Sequence, residues 1–219
     1  MRQLLLNIAP EWQPTLDNFV VGRNLELISV LRHALAGDTN ERCFFIWGEA
    51  GSGKSHLLQA VVGEAQRSHR SAVYIQGGVP EVASVVAVDD VECLDDDAQI
   101  GMFDIYNRLR EIGAIVVFSG KEPPLKLKLR DDLRTRMGWG LVYQLNGLSD
   151  EEKSQALLEH ARARGFTLPA EVMQYLLCHG RRDLNSLLTA LDSLDEYSLR
   201  THRAPSVPML KEVLRNNAG

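Results

Sequence analysis

Cys43-Phe44-Phe45-Ile46-Trp47 runs directly into Gly48-Glu49-Ala50-Gly51-Ser52-Gly53-Lys54-Ser55, and the fold is decided there. The five apolar residues form a short continuous run of the kind that suits a strand buried on both faces of a parallel sheet. The eight that follow fit G-x-x-x-x-G-K-[ST] at every position, and a helical pattern extends from Lys54 to Ser68. A glycine-rich turn between a buried strand and a helix lets backbone N–H groups point inward at phosphates. Gly48, Glu49, Ala50, Gly51, Ser52 and Gly53 therefore predict the cradle, Lys54 the charge facing β- and γ-phosphates, and the Ser55 hydroxyl a Mg²⁺ ligand. The implied cofactor is ADP or ATP with Mg²⁺.

Downstream, Val85–Val88 reads as a central strand ending in Asp89-Asp90. Asp89 is placed to hold Mg²⁺ through water, and Asp90 to orient or deprotonate an attacking water. Ala114–Phe118 is a further strand, ending in Ser119-Gly120-Lys121. That tip either reaches a γ-phosphate through Ser119 or is a plain strand exit. Ala72–Gln76 and Leu141–Leu145 complete the strands. Helical spacing is found in 24–36, with Leu25, Ile28, Leu31 and Leu35 as the apolar face and Gly37 as its stop. It recurs in 97–112, with Ile100, Phe103, Tyr106 and Leu109 on one face, and in 131–137. Alternating strands and helices predict a three-layer α/β fold with a parallel sheet. After Gly147 only helices are read: 149–164, opened by the capping box Ser149-Asp150-Glu151-Glu152, then 168–179, 183–202 and 207–216. The expected organisation is an extended leader over 1–18, a nucleotide-binding α/β domain over 19–147 and a small α-helical lid over 148–219.

The 219 residues (24.4 kDa) are 45% apolar and 24% charged, a globular balance with no apolar run long enough to cross a bilayer. Net charge is −5, against autonomous grip on nucleic-acid phosphates. Cys43, Cys93 and Cys178 form no CxxC pair, which points to a reducing, cytoplasmic setting. The N-terminus carries no signal-peptide pattern, the six histidines show no metal-ligand spacing, and Trp12, Trp47 and Trp139 read as core or boundary residues. Asp95-Asp96-Asp97 reads as a helix N-terminus, where negative charge is favourable. Arg130 to Arg136 is a charged helix, either a solvated face or the source of an arginine that reaches a neighbour's γ-phosphate. Arg181-Arg182-Asp183-Leu184 opens a helix from which an arginine could reach back to nucleotide.

The order of these motifs resembles the AAA+ module of the bacterial initiator DnaA. The matching pieces are Phe19-Val20-Val21-Gly22, Gly48–Ser55 followed by His56-Leu57-Leu58, Asp89-Asp90, Ser119-Gly120-Lys121-Glu122-Pro123-Pro124 and Leu133-Arg134-Thr135-Arg136-Met137-Gly138-Trp139-Gly140-Leu141. The likeness runs from about residue 15 to 216. The chain stops after the lid, where DnaA would continue into a helix-turn-helix domain. In place of DnaA's N-terminal domain stands Gln3-Leu4-Leu5-Leu6, which is similar to peptides that dock on the β sliding clamp. A lone DnaA-like module with that leader resembles the Hda family of DnaA regulators. The resemblance implies that ADP- or ATP-bound protein sits on the DNA-loaded clamp through Gln3, Leu4 and Leu6 and triggers hydrolysis of DnaA-bound ATP. Arg136 then matches the trans arginine finger and Arg182 the second sensor arginine. Phe19, Val20, Val21 and His56 border the nucleotide. DNA is contacted through the clamp, giving a nucleoid-associated protein, and self-association is left open. Two positions depart from the pattern. Asp132 stands where DnaA has an arginine used in self-assembly, and Asn7 where clamp peptides often carry proline or an aromatic, leaving Ile8 as a second anchor. The competing readings are a self-sufficient ATPase such as a helicase loader, and a DNA-binding module, which the net charge disfavours.

Overall fold

The computed structural model describes residues 14–181 and 183–216. These divide into two compact units, the first made of 14–19, 26–47 and 54–144, the second of 20–25, 48–53 and 145 onward.

The first unit is built on five parallel strands: β1 (Cys43–Trp47), β2 (Ala72–Gln76), β3 (Val85–Asp89), β4 (Ile115–Gly120) and β5 (Leu141–Gln144). Their order is β2-β3-β4-β1-β5. β3 and β4 are buried at every position, as expected of central strands covered on both faces. Phe45, Val86, Val88, Val116 and Phe118 cluster with Met102, Tyr106 and Leu109 of α3 (Asp96–Glu111) and with Leu133 and Met137 of α4 (Asp131–Met137). The alternate residues Phe44, Ile46, Val85, Ala87, Ile115 and Val117 are also buried, and alternation turns them to the opposite face. There α2 (Lys54–Arg67) packs on β2 and β3 with Leu57, Leu58 and Val61 buried. α1 (Leu25–Ala36) ends at Gly37, whose φ of +86° is a left-handed stop.

Two apolar faces differ from the sequence reading. In α1 the buried residues are Leu27, Ile28, Leu31 and Ala34, whereas Leu25 is 70% exposed at the first helical position. In α3 the buried stripe is Gln99, Met102, Tyr106 and Leu109, leaving Ile100 exposed. Gln99 can be buried because both ends of its amide are bonded: it donates to the Leu94 carbonyl at 3.0 Å and accepts from the Arg130 N–H at 2.8 Å. Asp95 caps α3 by accepting from the Ala98 N–H. β4 runs two residues past Phe118, pairing Ser119 with Ile46 and Gly120 with Trp47. Trp139 lies outside the core, 54% exposed, while Trp47 is half-buried and Trp12 lies outside the described residues.

The second unit holds α5 (Asp150–Ala163), α6 (Ala170–His179), α7 (Leu184–Thr201) and α8 (Val207–Asn216). The Ser149–Glu152 capping box opens α5, and Asp183 caps α7. Leu157, Val172, Leu176, Leu191, Leu194 and Leu210 form its interior. Arg164, the C-cap of α5, bridges Asp192 and Asp195 of α7 at 3.3 and 3.1 Å, and His160 of α5 meets Asp192 at 2.7 Å.

Gly140 sets how closely β5 can enter beside β1. A Cβ there would lie 2.0 Å from the Cys43 carbonyl oxygen. Backbone on both sides leaves no flexible end to yield. Gly140→Ala is expected to lower unfolding free energy by about 3 kcal/mol, the upper end of overpacking costs, in urea titration.

Candidate functional site

The carboxyl edge of the sheet gathers the acidic candidates. Asp89, the last residue of β3, is fully buried. Burying a carboxylate is costly unless donors surround it. Here Ser119 Oγ on β4 donates to Asp89 Oδ1, Tyr74 on β2 donates to Oδ2 at 2.7 Å, and the Asp90 N–H donates to Oδ1 at 3.2 Å. Ser119 Oγ also accepts from the Asp90 N–H at 3.1 Å. Burial, and next the hydrogen bond and charge of Asp89, push the Tyr74 phenol up to about 12. α2, which carries Ser55, packs on β2 and β3 beside this pair.

Asp90 follows in a left-handed conformation, φ 50° and ψ 55°. A non-glycine residue there carries strain of about 1 kcal/mol. Its carboxylate accepts from Gln76 Nε2 at 2.7 Å. Lys121, beside the Ser119 tip, lies 3.6 Å from Glu92.

The phosphate loop sits in the second unit. Gly51 and Gly53 have φ of +77° and +101°, the conformations that turn successive amides to one side. The Ser52 N–H donates to the Glu49 carbonyl at 3.2 Å, while Ser52 Oγ is buried without a hydrogen-bond partner among the described residues. A Cβ at Gly48 would lie 2.5 Å from the Leu145 carbonyl oxygen, and one at Gly51 would come within 3.5 Å of Asp183 Cβ. Ala50 lies at the exposed turn of the loop. In the first unit, Lys54 opens α2 at only 7% exposure. Positive-φ glycines and an orphaned buried hydroxyl fit a bound phosphate chain.

Phe19 packs its ring 5.6 Å from that of His56, whose pKa burial pulls below the usual histidine range. Val20 and Val21 lie in the second unit, half-buried. There Asn24 ties the segment down: its Nδ2 donates to the carbonyls of Val21 and Asn146 at 3.1 and 2.9 Å, and its Oδ1 accepts from the Asn146 N–H at 2.8 Å.

On α4 the three arginines part company. Arg130 pairs with Asp132 at 3.0 Å and Arg134 with Asp131 at 2.6 Å. Arg136 instead donates from Nε to Asn107 Oδ1 at 3.0 Å and lays its guanidinium 4.7 Å from the Phe103 ring centre and 4.5 Å from that of Trp139. Arg110 covers Trp139 as well, at 5.2 Å. Among the described residues Arg136 makes no ion pair.

The structure thus joins Asp89, Asp90 and Ser119 in one edge cluster, with Ser55 on the helix packed against those strands, and sets Arg136 apart. Gln3, Leu4, Leu6 and Arg182 lie outside the described residues. Tyr74, Gln76, Asn107 and Asn24 were missed. The signal for two of them was topological: β2 pairs with β3 so that Gln76 stands opposite Asp89 and Tyr74 opposite Ala87.

Asp90→Gly and Asp90→Ala both delete the carboxylate, but only glycine relieves the left-handed backbone. The glycine variant is expected to be more stable than the alanine variant by about 1 kcal/mol, reversing the usual order, in denaturant melts.

The family model described as "Hda, lid domain" matches residues 150–214, and that described as "Bacterial DnaA ATPAse domain" matches 11–78. An uncharacterised protein of Haemophilus influenzae is 35% identical over 228 residues, covering 97% of this chain and 98% of the relative. Among solved structures, domain III of DnaA from Thermotoga maritima superposes with a TM-score of 0.77 at 22% identity, covering 93% of this chain and 96% of that one. AMPPCP-bound DnaA from Aquifex aeolicus gives 0.70 at 24%, covering 84% of this chain and 65% of the longer initiator. The Holliday-junction branch-migration motor RuvB of Thermotoga maritima gives 0.67 at 14%, covering 92% and 71%. The structural likenesses show the AAA+ α/β fold; the lid and ATPase-domain matches, with the 35% identical relative, show that the chain belongs to the Hda-like family of DnaA homologues.

Proposed function

We propose that this protein is a nucleotide-bound negative regulator of replication initiation which, docked on the DNA-loaded β sliding clamp, completes the active site of ATP-bound DnaA with Arg136. The observation that carries the reading is the difference between Arg136 and its neighbours. Arg130 and Arg134 are neutralised by Asp132 and Asp131, whereas among the described residues Arg136 is held by an amide and two rings. A guanidinium fixed by neutral groups keeps its charge for an anion outside the chain. Charge that develops on a γ-phosphoryl group in the transition state is such an anion. Asp132, paired to Arg130, supports a regulator over a self-assembling initiator.

ADP or ATP bound at this chain's own loop supplies the charge that a Mg²⁺ ion neutralises. Gly48 to Gly53 offer amides to the phosphates, Lys54 faces them, and Ser55 and Asp89 hold the cation site. Phe19, Val20, Val21 and His56 are read as bordering the nucleotide, and Arg182 as the second sensor arginine. Gln3, Leu4 and Leu6 anchor the leader on the clamp, by amide hydrogen bonds and apolar burial respectively. Clamp docking places the protein on the nucleoid and confines DNA contact to the clamp.

A second reading, a self-sufficient ATPase such as a helicase loader, draws on Asp90, which is poised beside Asp89 and Ser119. Hydrolysis by the protein alone, compared with hydrolysis in the presence of ATP-bound DnaA and DNA-loaded clamp, separates the two.

In that assay Arg136→Ala is expected to reduce stimulation of DnaA hydrolysis by about 10³-fold while leaving ADP binding intact. Arg134→Ala, which breaks an exposed ion pair, should cost less than about tenfold. Full activity of the Arg136 variant removes the trans mechanism. The paired substitution Gln3→Ala with Leu4→Ala is expected to abolish co-elution with the clamp at an unchanged melting temperature. Retained co-elution overturns the docking assignment.

A further inference from the structure

We infer that Tyr74 is a positioning residue of the Mg²⁺ site, fixing the buried Asp89 carboxylate so that the cation joins the bound nucleotide in one geometry. The inference rests on the reading of Ser55 and Asp89 as cation ligands and goes beyond it, because the phosphate loop and the Asp-Asp strand end contain no tyrosine.

Three observations carry it. The phenol O–H donates to Asp89 Oδ2 at 2.7 Å, and Ser119 Oγ and the Asp90 N–H occupy Oδ1, so each carboxylate oxygen has its own donor from a neighbouring strand or turn. α2, which opens with Lys54-Ser55, packs directly on β2 and β3, the two strands that carry Tyr74 and Asp89. β2 is one of the two edge strands and Tyr74 sits at its middle, in register with Ala87 two residues before Asp89, so the ring is set by backbone pairing rather than by a loop.

The direction of the effect follows from the chemistry. Asp89 is wholly buried, and a carboxylate with one oxygen released can rotate about its terminal torsion, which is broad and roughly two-fold. Groups that hold a ligating carboxylate by hydrogen bonds typically matter 10- to 100-fold in metal affinity. Tyr74→Phe deletes the one oxygen and keeps the ring. It therefore leaves the phosphate contacts alone and loosens only the carboxylate that holds the cation's water.

The experiment measures the ADP dissociation constant of each variant in EDTA and in Mg²⁺ by calorimetry, and takes the ratio as the Mg²⁺-induced gain. Tyr74→Phe is expected to lower that gain about tenfold relative to wild type, with the EDTA value within twofold. In the Asp89→Asn background the same change is expected to have no effect on the gain, because the group it acts through is gone. An unchanged gain in Tyr74→Phe, or an equal loss with and without Mg²⁺, overturns the inference. A wild type that shows no Mg²⁺ gain overturns the underlying cation-site reading instead. A measurement on the unmutated sequence guards against a variant that does not fold. With all five tyrosines replaced by 3-fluorotyrosine, one ¹⁹F line is expected to move when Mg²⁺ is added to the ADP complex. It is expected to stay still when Mg²⁺ is added without ADP, and five unmoved lines in the first titration count against Tyr74.

Discussion

A carboxylate with no exposed surface, Asp89 at the end of β3, is the constraint around which the sheet edge is organised. It is tolerable in the interior only with donors on both oxygens. Those donors come from both strand neighbours, Tyr74 on β2 and Ser119 on β4, and from the next backbone amide. This requires β2, β3 and β4 to end nearly level, and the register does so: Gln76 stands opposite Asp89, and Val88 opposite Phe118. A one-residue slip on either side would turn the donor to the opposite face and leave the charge unsatisfied. The apolar side chains that bury the strands set the depth of the core, whereas Asp89 fixes how the strands align.

The same cluster explains where strain is stored. After Asp89 the chain must leave the sheet at once while its next amide still faces inward to Asp89 and Ser119. Asp90 does this at φ 50°, ψ 55°, a conformation an aspartate adopts more readily than most residues but still at a cost. The inward amide and the Gln76 contact hold it there. Strain of this kind persists where surrounding contacts over-determine the backbone, and here they do so at the residue read as orienting water.

Much of this was legible in the sequence, and the failures have a common cause. β1, β2 and α4 fall where the apolar runs and helical spacing put them, because burial on one or two faces imposes its period directly. The apolar faces of α1 and α3 were shifted because hydrophobicity alone ranks Leu25 and Ile100 above Ala34 and Gln99, whereas the fold buries the latter. Gln99 shows why: two backbone hydrogen bonds, to Leu94 and Arg130, make a polar side chain interior, and both partners are fixed by tertiary structure. Tyr74 and Asn107 escaped for the same reason. A tyrosine in an edge strand and an asparagine in a helix carry no local mark of the distant carboxylate or guanidinium they hold. Asp89, Asp90 and Ser119 were readable because their positions at strand ends are set by sequence-local apolar runs.

The treatment of charge on α4 follows from a difference in what neutralises each cation. Exposed ion pairs such as Arg134–Asp131 contribute little to stability, but they lower the charge a neighbouring molecule meets. A guanidinium resting on aromatic faces is stabilised by the ring quadrupoles without being neutralised, and its planar shape suits that support. Phe103 and Trp139 provide those faces to Arg136, and Asn107 fixes its Nε with a neutral acceptor. An aspartate in the place of Asn107 would hold the arginine more strongly and cancel its charge. In a chain whose net charge is −5, an arginine left uncancelled at a partly exposed aromatic corner is a local exception to the global sign. The neutral amide therefore orients the cation without cancelling its field.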